Sequence, residues 1–122
     1  SSLVGSEMCI RDREQAKKLS ENLPIIVTGD FNAVPSDEPI QVLTNPSDPR
    51  HLTHSRTIAG FTYGPEWTFH DFGKIPYDKR EWIDYIFVKG NIKVLRHGVL
   101  TETLNNLFPS DHCPVISTLI LE

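Results

Sequence analysis

Short hydrophobic runs of strand length dominate this sequence, and polar clusters lie at the ends of three of them. Residues 25–28 are a β-branched run without polar alternation, which is typical of a strand buried on both faces. Further strands are predicted at residues 67–72, 82–88, 92–101 and 115–121, with a hairpin turn at 89–91. Such a chain folds around a sheet, and its loops carry the polar groups.

Helices are fewer than strands. Residues 14–23 carry apolar side chains at helical spacing amid charged ones, which predicts an amphipathic surface helix. A short second helix is predicted at residues 36–43, which begin with a serine cap and an early proline. Residues 52–64 show no firm periodicity. The pattern indicates a mixed α/β (α+β) domain.

Composition limits the function classes. The chain has 122 residues, which leaves room for one domain. Its net charge of −4 argues against the broad basic face of a nucleic-acid binder, whereas an acidic cluster could hold a divalent cation. No apolar run approaches the roughly 18 residues of a membrane helix. Cys9 and Cys113 have no partner at zinc-ligand spacing, so no disulfide framework and no zinc site are predicted.

The beginning of the chain differs in character from the rest. Residues 3–13, LVGSEMCIRDR, fit the in-frame translation of a transposon-based sequencing adapter and lack periodicity. We interpret residues 1–13 as a non-native segment; the alternative is a natural flexible tail. Because the only methionine, Met8, lies inside this segment, residues 14–122 are expected to be an internal piece of a longer protein.

Asp30 and Asn32 follow the first predicted strand in the sequence Gly-Asp-Phe-Asn. A carboxylate and an amide that leave one strand end would share a pocket. There Asp30 could orient or deprotonate a water molecule, and Asn32 could donate to a phosphoryl oxygen. The alternative is an Asx turn in which both side chains cap the loop.

Asp84 lies inside a predicted strand, where an unpaired carboxylate would be costly to bury. The Ser-Asp-His sequence at residues 110–112 offers His112 as its partner, and the pair would fix the imidazole tautomer and favour the imidazolium. Asp111 would then remain available for a metal ion. The alternatives are a turn cap at residues 110–111 and an ion pair between Asp84 and Arg80 or Lys79.

The remaining histidines and the tryptophans give weaker signals. His70, in Thr-Phe-His, is interpreted first as a structural residue and only weakly as a substrate-binding one. Trp82 is interpreted as a core or pocket-wall aromatic, again with a weak substrate-binding role. His97 lies on an alternating strand and is expected to face solvent.

The motifs GDFN, IDYIF and SDHCPV, in this order and before a final strand, resemble the endonuclease/exonuclease/phosphatase superfamily. The resemblance covers nearly all of residues 14–122 and implies that they are the carboxy-terminal half of the domain. The implied fold is half of a four-layer α/β/β/α sandwich with a mostly antiparallel or mixed sheet and flanking helices. Mg²⁺ or Mn²⁺ would lie in the cleft between the sheets.

The resemblance also implies roles for single residues. Asp30 is similar to the residue that positions the attacking water and to a metal ligand, and Asn32 to the one that holds the phosphate. Asp111 is similar to a metal or water ligand, His112 to the phosphate-contacting histidine, and Asp84 to the acid that orients it. The family's metal-binding glutamate belongs to its first half. One sheet and the main metal ligand are therefore expected to lie outside this chain.

The function implied for the longer protein is metal-dependent hydrolysis of phosphodiester or phosphomonoester bonds. The substrate would be a nucleic acid, a phospholipid or a sugar phosphate. This chain alone is expected to be inactive, because Asp30 and Asp111 are too few ligands to hold Mg²⁺ securely. The competing interpretation is a catalytically dead binding module with the same sandwich fold.

We predict that residues 1–13 contribute nothing to folding stability, because they match an adapter and lack periodicity. Deleting them should leave the midpoint of thermal unfolding unchanged. A fall of several degrees in that midpoint would show that the segment packs on the domain.

Overall fold

The computed structural model describes residues 23–122, which form two three-stranded sheets with short helices beside them. The strands are β1 (Ile25–Asp30), β2 (Thr53–His54), β3 (Phe61–Tyr63), β4 (Asp84–Lys89), β5 (Ile92–Val99) and β6 (Val115–Leu121). The helices are α1 (Glu38–Thr44), α2 (Ser55–Ile58) and a 3₁₀ turn at Tyr77–Lys79. None of these helices is long and apolar enough to span a membrane. The predictions for residues 1–13 and for the helix at 14–23 fall outside the described residues, apart from Leu23.

Each of the two sheets contains three of the strands formed by residues 23–122. One sheet has the order β1-β4-β2 with antiparallel neighbours, and the other has the order β3-β5-β6, in which β3 runs parallel to β5. The mixed α+β architecture and the half sandwich are therefore confirmed. The expectation that a whole sheet lies outside this chain is wrong, because residues 23–122 already supply three strands to each sheet.

The turn at Gly90 joins the two sheets instead of closing a hairpin. β4 is the central strand of its sheet and pairs with β1 and β2 on its two edges, so it has no free edge for β5. Gly90 has a φ of 96°, a left-handed value that favours glycine, and an added Cβ would lie 3.1 Å from the Cα of Pro24. The hairpin prediction is wrong because the hydrophobic pattern identifies strands but not their partners.

The hydrophobic core contains side chains from both sheets. Tyr85 and Phe87 of β4 are buried and stack with a ring separation of 5.0 Å, and the Tyr85 hydroxyl donates to the carbonyl of Ala33 at 2.7 Å. Val99 of β5 joins the same cluster. The core is completed by Ile40, Leu43, Leu52, Trp82 and Cys113. This core fixes the start of β4 against the loops that carry the polar motifs.

Two regions differ from their predicted secondary structure. Residues 67–72 form no strand; Phe69 makes only isolated bridges, to Glu81 and to His112. Residues 52–64, which show no periodicity, contain the short elements β2, α2 and β3. Elements of two to four residues are set by their tertiary partners, so the local sequence carries little signal for them.

His97 is buried, with 1% of its surface exposed, so the expectation that it faces solvent is wrong. The register of β5 against β6 shifts between Val94 and Arg96, and this bulge reverses the alternation of inward and outward side chains. The rings of His54, His97 and Trp82 then contact one another, with centroids 5.4 to 5.7 Å apart. Burial, followed by the positive charge of Arg56, lowers the pKa of His97 to about 4.

We predict that the domain loses stability as pH falls from about 6.5 toward 4. His54 and His97 both have their pKa lowered to about 4 from 6.5, chiefly by burial, so the unfolded chain takes up protons first. The loss should be roughly 1 to 3 kcal/mol per histidine, and stability should be flat above pH 6.5 as far as these groups act. Urea unfolding at several pH values measures it.

A variant with His97→Phe should lose less stability on acidification than the wild type, because one of the two titrating groups is gone. His51→Gln changes a partly exposed histidine and is the matched control. Identical pH profiles for wild type and His97→Phe would contradict the prediction.

Candidate active site

Asp84 and His112 form the central contact of the site. Asp84 begins β4, and His112 lies 28 residues later, directly before the core residue Cys113. The His112 Nδ1 and an Asp84 carboxylate oxygen are nevertheless 2.7 Å apart. The hydrogen bond predicted between them is confirmed. Arg80, the alternative partner, instead places its guanidinium 4.4 Å from the ring of Trp67. Because an ionised carboxylate can only accept, the His112 Nδ1 carries the proton and donates it to Asp84.

Two more carboxylates surround the other ring nitrogen of His112. An Asp30 oxygen lies 3.7 Å from its Nε2, and an Asp111 oxygen lies 4.0 Å from it. Asp30 reaches this position because it ends β1 directly opposite Asp84. The structure thus brings Asp30, Asp84, Asp111 and His112 together.

The pKa of His112 is raised above its ordinary value of 6.5 by these acids. Partial burial by itself lowers that pKa, but the hydrogen bond and the charge of Asp84 raise it, and the charges of Asp30 and Asp111 add to the effect. The geometry therefore favours an imidazolium whose Nε2 proton faces Asp30 and Asp111.

The Gly-Asp-Phe-Asn turn forms the Asx turn considered from the sequence and also places Asp30 beside His112. One Asp30 oxygen accepts the backbone N–H of Asn32 at 2.8 Å, as in an Asx turn, while the other faces His112. Phe31 anchors the turn through edge-on contacts with Tyr85 and Phe87. Asn32 has a φ of 50° and an exposed side chain, and only its backbone N–H contacts Asp30.

The turn at residues 110–112 is stabilised by its own hydrogen bonds and is also bonded to the neighbouring loop. The Ser110 hydroxyl donates to an Asp111 oxygen at 3.3 Å and accepts the backbone N–H of His112 at 3.2 Å. The backbone carbonyl of Asp111 accepts from the N–H groups of His70 and Asp71 at 3.0 and 3.2 Å. The turn cap considered from the sequence therefore exists, and it holds Asp111 and His112 in place.

Thr68 and Phe69 support the site, although no separate role was predicted for either residue. The buried Thr68 hydroxyl accepts the backbone N–H groups of Ile83 and Asp84, at 3.0 and 3.2 Å, and so fixes the start of β4. The Phe69 ring lies 4.9 Å from the ring of His112. A buried threonine beside an aromatic is common in strands, so only its contacts reveal this function.

His70 and Trp82 are buried, with 1% and 6% of their surface exposed. His70 accepts the Gly73 N–H at its Nδ1, and burial, then the charge of Arg80, lowers its pKa, so it is neutral near pH 7. Trp82 packs in the core cluster. Neither side chain presents an open surface, so their weak substrate-binding roles stay predictions without support from their position.

The carboxylates fit a divalent cation. The ligand atoms of Asp30, Asp84 and His112 all lie within 4.8 Å of one another. Carboxylate oxygens are the ligands that Mg²⁺ and Mn²⁺ prefer. Asp84 is hydrogen-bonded to His112 and its side chain is 19% exposed, whereas those of Asp30 and Asp111 are 38% and 44% exposed. Asp30 and Asp111 are therefore the better candidates for contact with an ion.

Comparison with known proteins relates this arrangement to one family. A sequence model described as the endonuclease/exonuclease/phosphatase family matches residues 8–112. Similar solved structures include family proteins from Bacteroides vulgatus (28% identity, TM-score 0.89) and Bacteroides thetaiotaomicron (29%, 0.86), and a mannosyl-6-phosphatase from the latter (29%, 0.83). The matches include 98–100% of this chain but only 46–47% of each relative. This chain therefore spans about half the length of these relatives. No curated protein matches the chain.

We predict that Thr68→Val lowers the free energy of unfolding by about 1–3 kcal/mol, because the N–H groups of Ile83 and Asp84 lose their acceptor. Valine has nearly the same shape, so little packing is lost. Thr68→Ser, which keeps the hydroxyl, is the control for hydrogen bonding. Urea unfolding measures all three proteins, and equal stability of Thr68→Val and wild type would contradict the assigned role.

Proposed function

This chain belongs to the endonuclease/exonuclease/phosphatase family, and on that basis we propose that the full-length protein is a metal-dependent hydrolase of phosphodiester or phosphomonoester bonds. The observation that carries the proposal is the 2.7 Å hydrogen bond between Asp84 and His112, with Asp30 beside the second ring nitrogen. A structural role would not require three carboxylates around one exposed imidazole edge. A phosphoryl-transfer site needs such a group of proton carriers and oxygen ligands.

His112 has the role of a phosphate-contacting acid. Asp84 holds its Nδ1 proton and thereby fixes the tautomer and the ring plane. The protonated Nε2 can then donate to a non-bridging oxygen or to the leaving-group oxygen as negative charge develops there. The raised pKa of His112 keeps this proton available near neutral pH.

Asp30 and Asn32 act on the attacking side of the phosphorus. The Asp30 oxygen that faces His112 can accept a hydrogen bond from a water molecule and orient it. The exposed amide of Asn32 can donate to a phosphoryl oxygen. The hydrogen bond from the Asn32 backbone to Asp30 keeps the two groups in a fixed relation.

Asp30 and Asp111 would hold Mg²⁺ or Mn²⁺. Further ligands would come from the part of the full-length protein that corresponds to the unmatched half of the relatives. When bound, the ion would stabilise charge on the phosphoryl oxygens and lower the pKa of a bound water molecule. Because two carboxylates alone hold Mg²⁺ weakly, this chain by itself should show negligible turnover.

The substrate is a phosphate ester: a nucleic acid, a phospholipid or a sugar phosphate. The relative at 29% identity that is named a mannosyl-6-phosphatase supports the sugar phosphate. A net charge of −4 over the chain disfavours long duplex DNA, whose binding needs a positive face. We therefore rank sugar phosphates first.

The second candidate function is a binding module that keeps the sandwich without catalysis. A binding module has no use for a histidine that is positioned to carry a proton. The hydrogen-bonded Asp84–His112 pair favours the enzyme. Measured turnover decides between the two.

We predict that the full-length protein hydrolyses phosphate esters with Mg²⁺ or Mn²⁺ and that Asp84→Asn slows turnover by on the order of 10² to 10⁴. Asparagine keeps the size of the side chain but removes the charge that supports the imidazolium. Initial rates on glucose 6-phosphate, bis-p-nitrophenyl phosphate and single-stranded DNA, with and without a chelator, test this. Glu102→Gln, at an exposed loop position, is the matched control and should keep full activity.

Full activity of Asp84→Asn would refute the assigned role of the pair. A folded wild type without turnover on any of these substrates, with either metal, would favour the binding module.

A further inference from the structure

Phe72 is an aromatic residue that the backbone holds in solvent next to the site. Its exposed fraction is 54%, and it lies in a run of three left-handed residues, Asp71 (φ 49°), Phe72 (φ 53°) and Gly73 (φ 80°). A bulky residue rarely adopts such a φ, and residues in this region concentrate at functional sites. The exposure of this ring is therefore a feature that needs a reason.

The turn that carries Phe72 is tied to the catalytic loop. The N–H of Asp71, the residue before Phe72, donates to the backbone carbonyl of Asp111 at 3.2 Å, beside the N–H of His70 at 3.0 Å. The N–H of Gly73, the residue after it, donates to the His70 Nδ1 at 3.0 Å. Phe72 thus lies between Asp71, which is bonded directly to the loop of Asp111 and His112, and Gly73, which is bonded to it through His70.

The space beneath this turn is already filled. The ring of Phe108 lies 4.2 Å from the ring of His70, and a Cβ at position 73 would come within 2.8 Å of it. Glycine at 73 therefore lets the Phe108 ring pack against the turn beside His70.

We propose that Phe72 is a specificity-determining residue that packs against the sugar ring of a monosaccharide phosphate while the phosphate lies at Asp111 and His112. This inference rests on the proposed function. The apolar face of a pyranose ring matches one exposed phenyl ring, in the way that aromatic faces receive other flat or ring-shaped groups.

The charges around Phe72 fit a polyhydroxylated ring. Asp71 precedes it, and Lys74, whose N–H donates to the Asp71 carbonyl at 3.0 Å, closes the turn. An acidic and a basic side chain therefore flank Phe72 in the sequence, and sugar hydroxyls can pair with both types of group. The two charges cancel, so the turn offers no surplus positive charge for a polynucleotide.

Kinetics of the full-length enzyme test the proposal on two phosphomonoesters, glucose 6-phosphate with a ring and glycerol 3-phosphate without one. Phe72→Ala should lower the ratio of kcat/KM for glucose 6-phosphate to that for glycerol 3-phosphate about fivefold to tenfold, mainly through KM. Phe72→Trp should restore the ratio. Leu107→Ala removes a side chain that is 71% exposed on the neighbouring loop and should leave the ratio unchanged.

Binding provides a readout that does not depend on turnover. The phosphonate analogue of glucose 6-phosphate cannot be hydrolysed, and titration calorimetry should show a Kd about fivefold to tenfold higher for Phe72→Ala than for wild type. If the enzyme turns over phosphate esters but Phe72→Ala changes neither the ratio nor this Kd, the inference is overturned and the proposed function stands. If binding depends on Phe72 while wild type hydrolyses nothing, the proposed function fails and only the contact between Phe72 and the sugar ring stands.

Two further outcomes would overturn the sugar assignment. One is that Leu107→Ala lowers the ratio of kcat/KM values as much as Phe72→Ala does, and that both variants lower the hydrolysis of phosphatidylcholine vesicles even more. This result would indicate a lipid substrate. The other is wild-type enzyme that neither binds the phosphonate nor hydrolyses glucose 6-phosphate.

Discussion

Two carboxylates face each other at the end of the β1–β4 ladder, and the rest of the site depends on how their charge is balanced. Asp30 and Asp84 are direct cross-strand partners, an arrangement that is unfavourable for two like charges. The His112 ring lies between them, 2.7 Å from Asp84 and 3.7 Å from Asp30. Asp111 adds a third negative charge near the same ring. A site with this surplus of carboxylates suits a cation and a polarised substrate better than it suits a purely structural role.

Hydrogen bonds to backbone groups form the scaffold around these charges. Thr68 fixes the start of β4, and the carbonyl of Asp111 gathers the N–H groups of His70 and Asp71. These bonds connect the strand that carries Asp84 with the loop that carries His112. Small displacements in either element would therefore be felt at the imidazole, where geometry decides whether a proton can be delivered.

Much of the site could be predicted from the sequence, because its residues occur in short motifs next to strands. The partner of Asp84 followed from the cost of burying a lone carboxylate, and His112 was the available cation. The pairing of strands could not be predicted in the same way. The bulge between Val94 and Arg96 turned His97 inward, and the neighbours of β4 were chosen by residues distant in sequence. Hydrophobic periodicity and strand propensity identify single strands, whereas the order of strands in a sheet depends on contacts across the whole fold.

The Gly90 connection has a consequence for how the domain folds. It joins β4 to β5, and each of these is the central strand of its own sheet. The two sheets are therefore linked through their middles by a connection of two residues, which carries a small loop-closure entropy. Formation of either sheet therefore brings the start or the end of the other sheet's central strand close to it. We accordingly expect the two sheets to form in one cooperative transition.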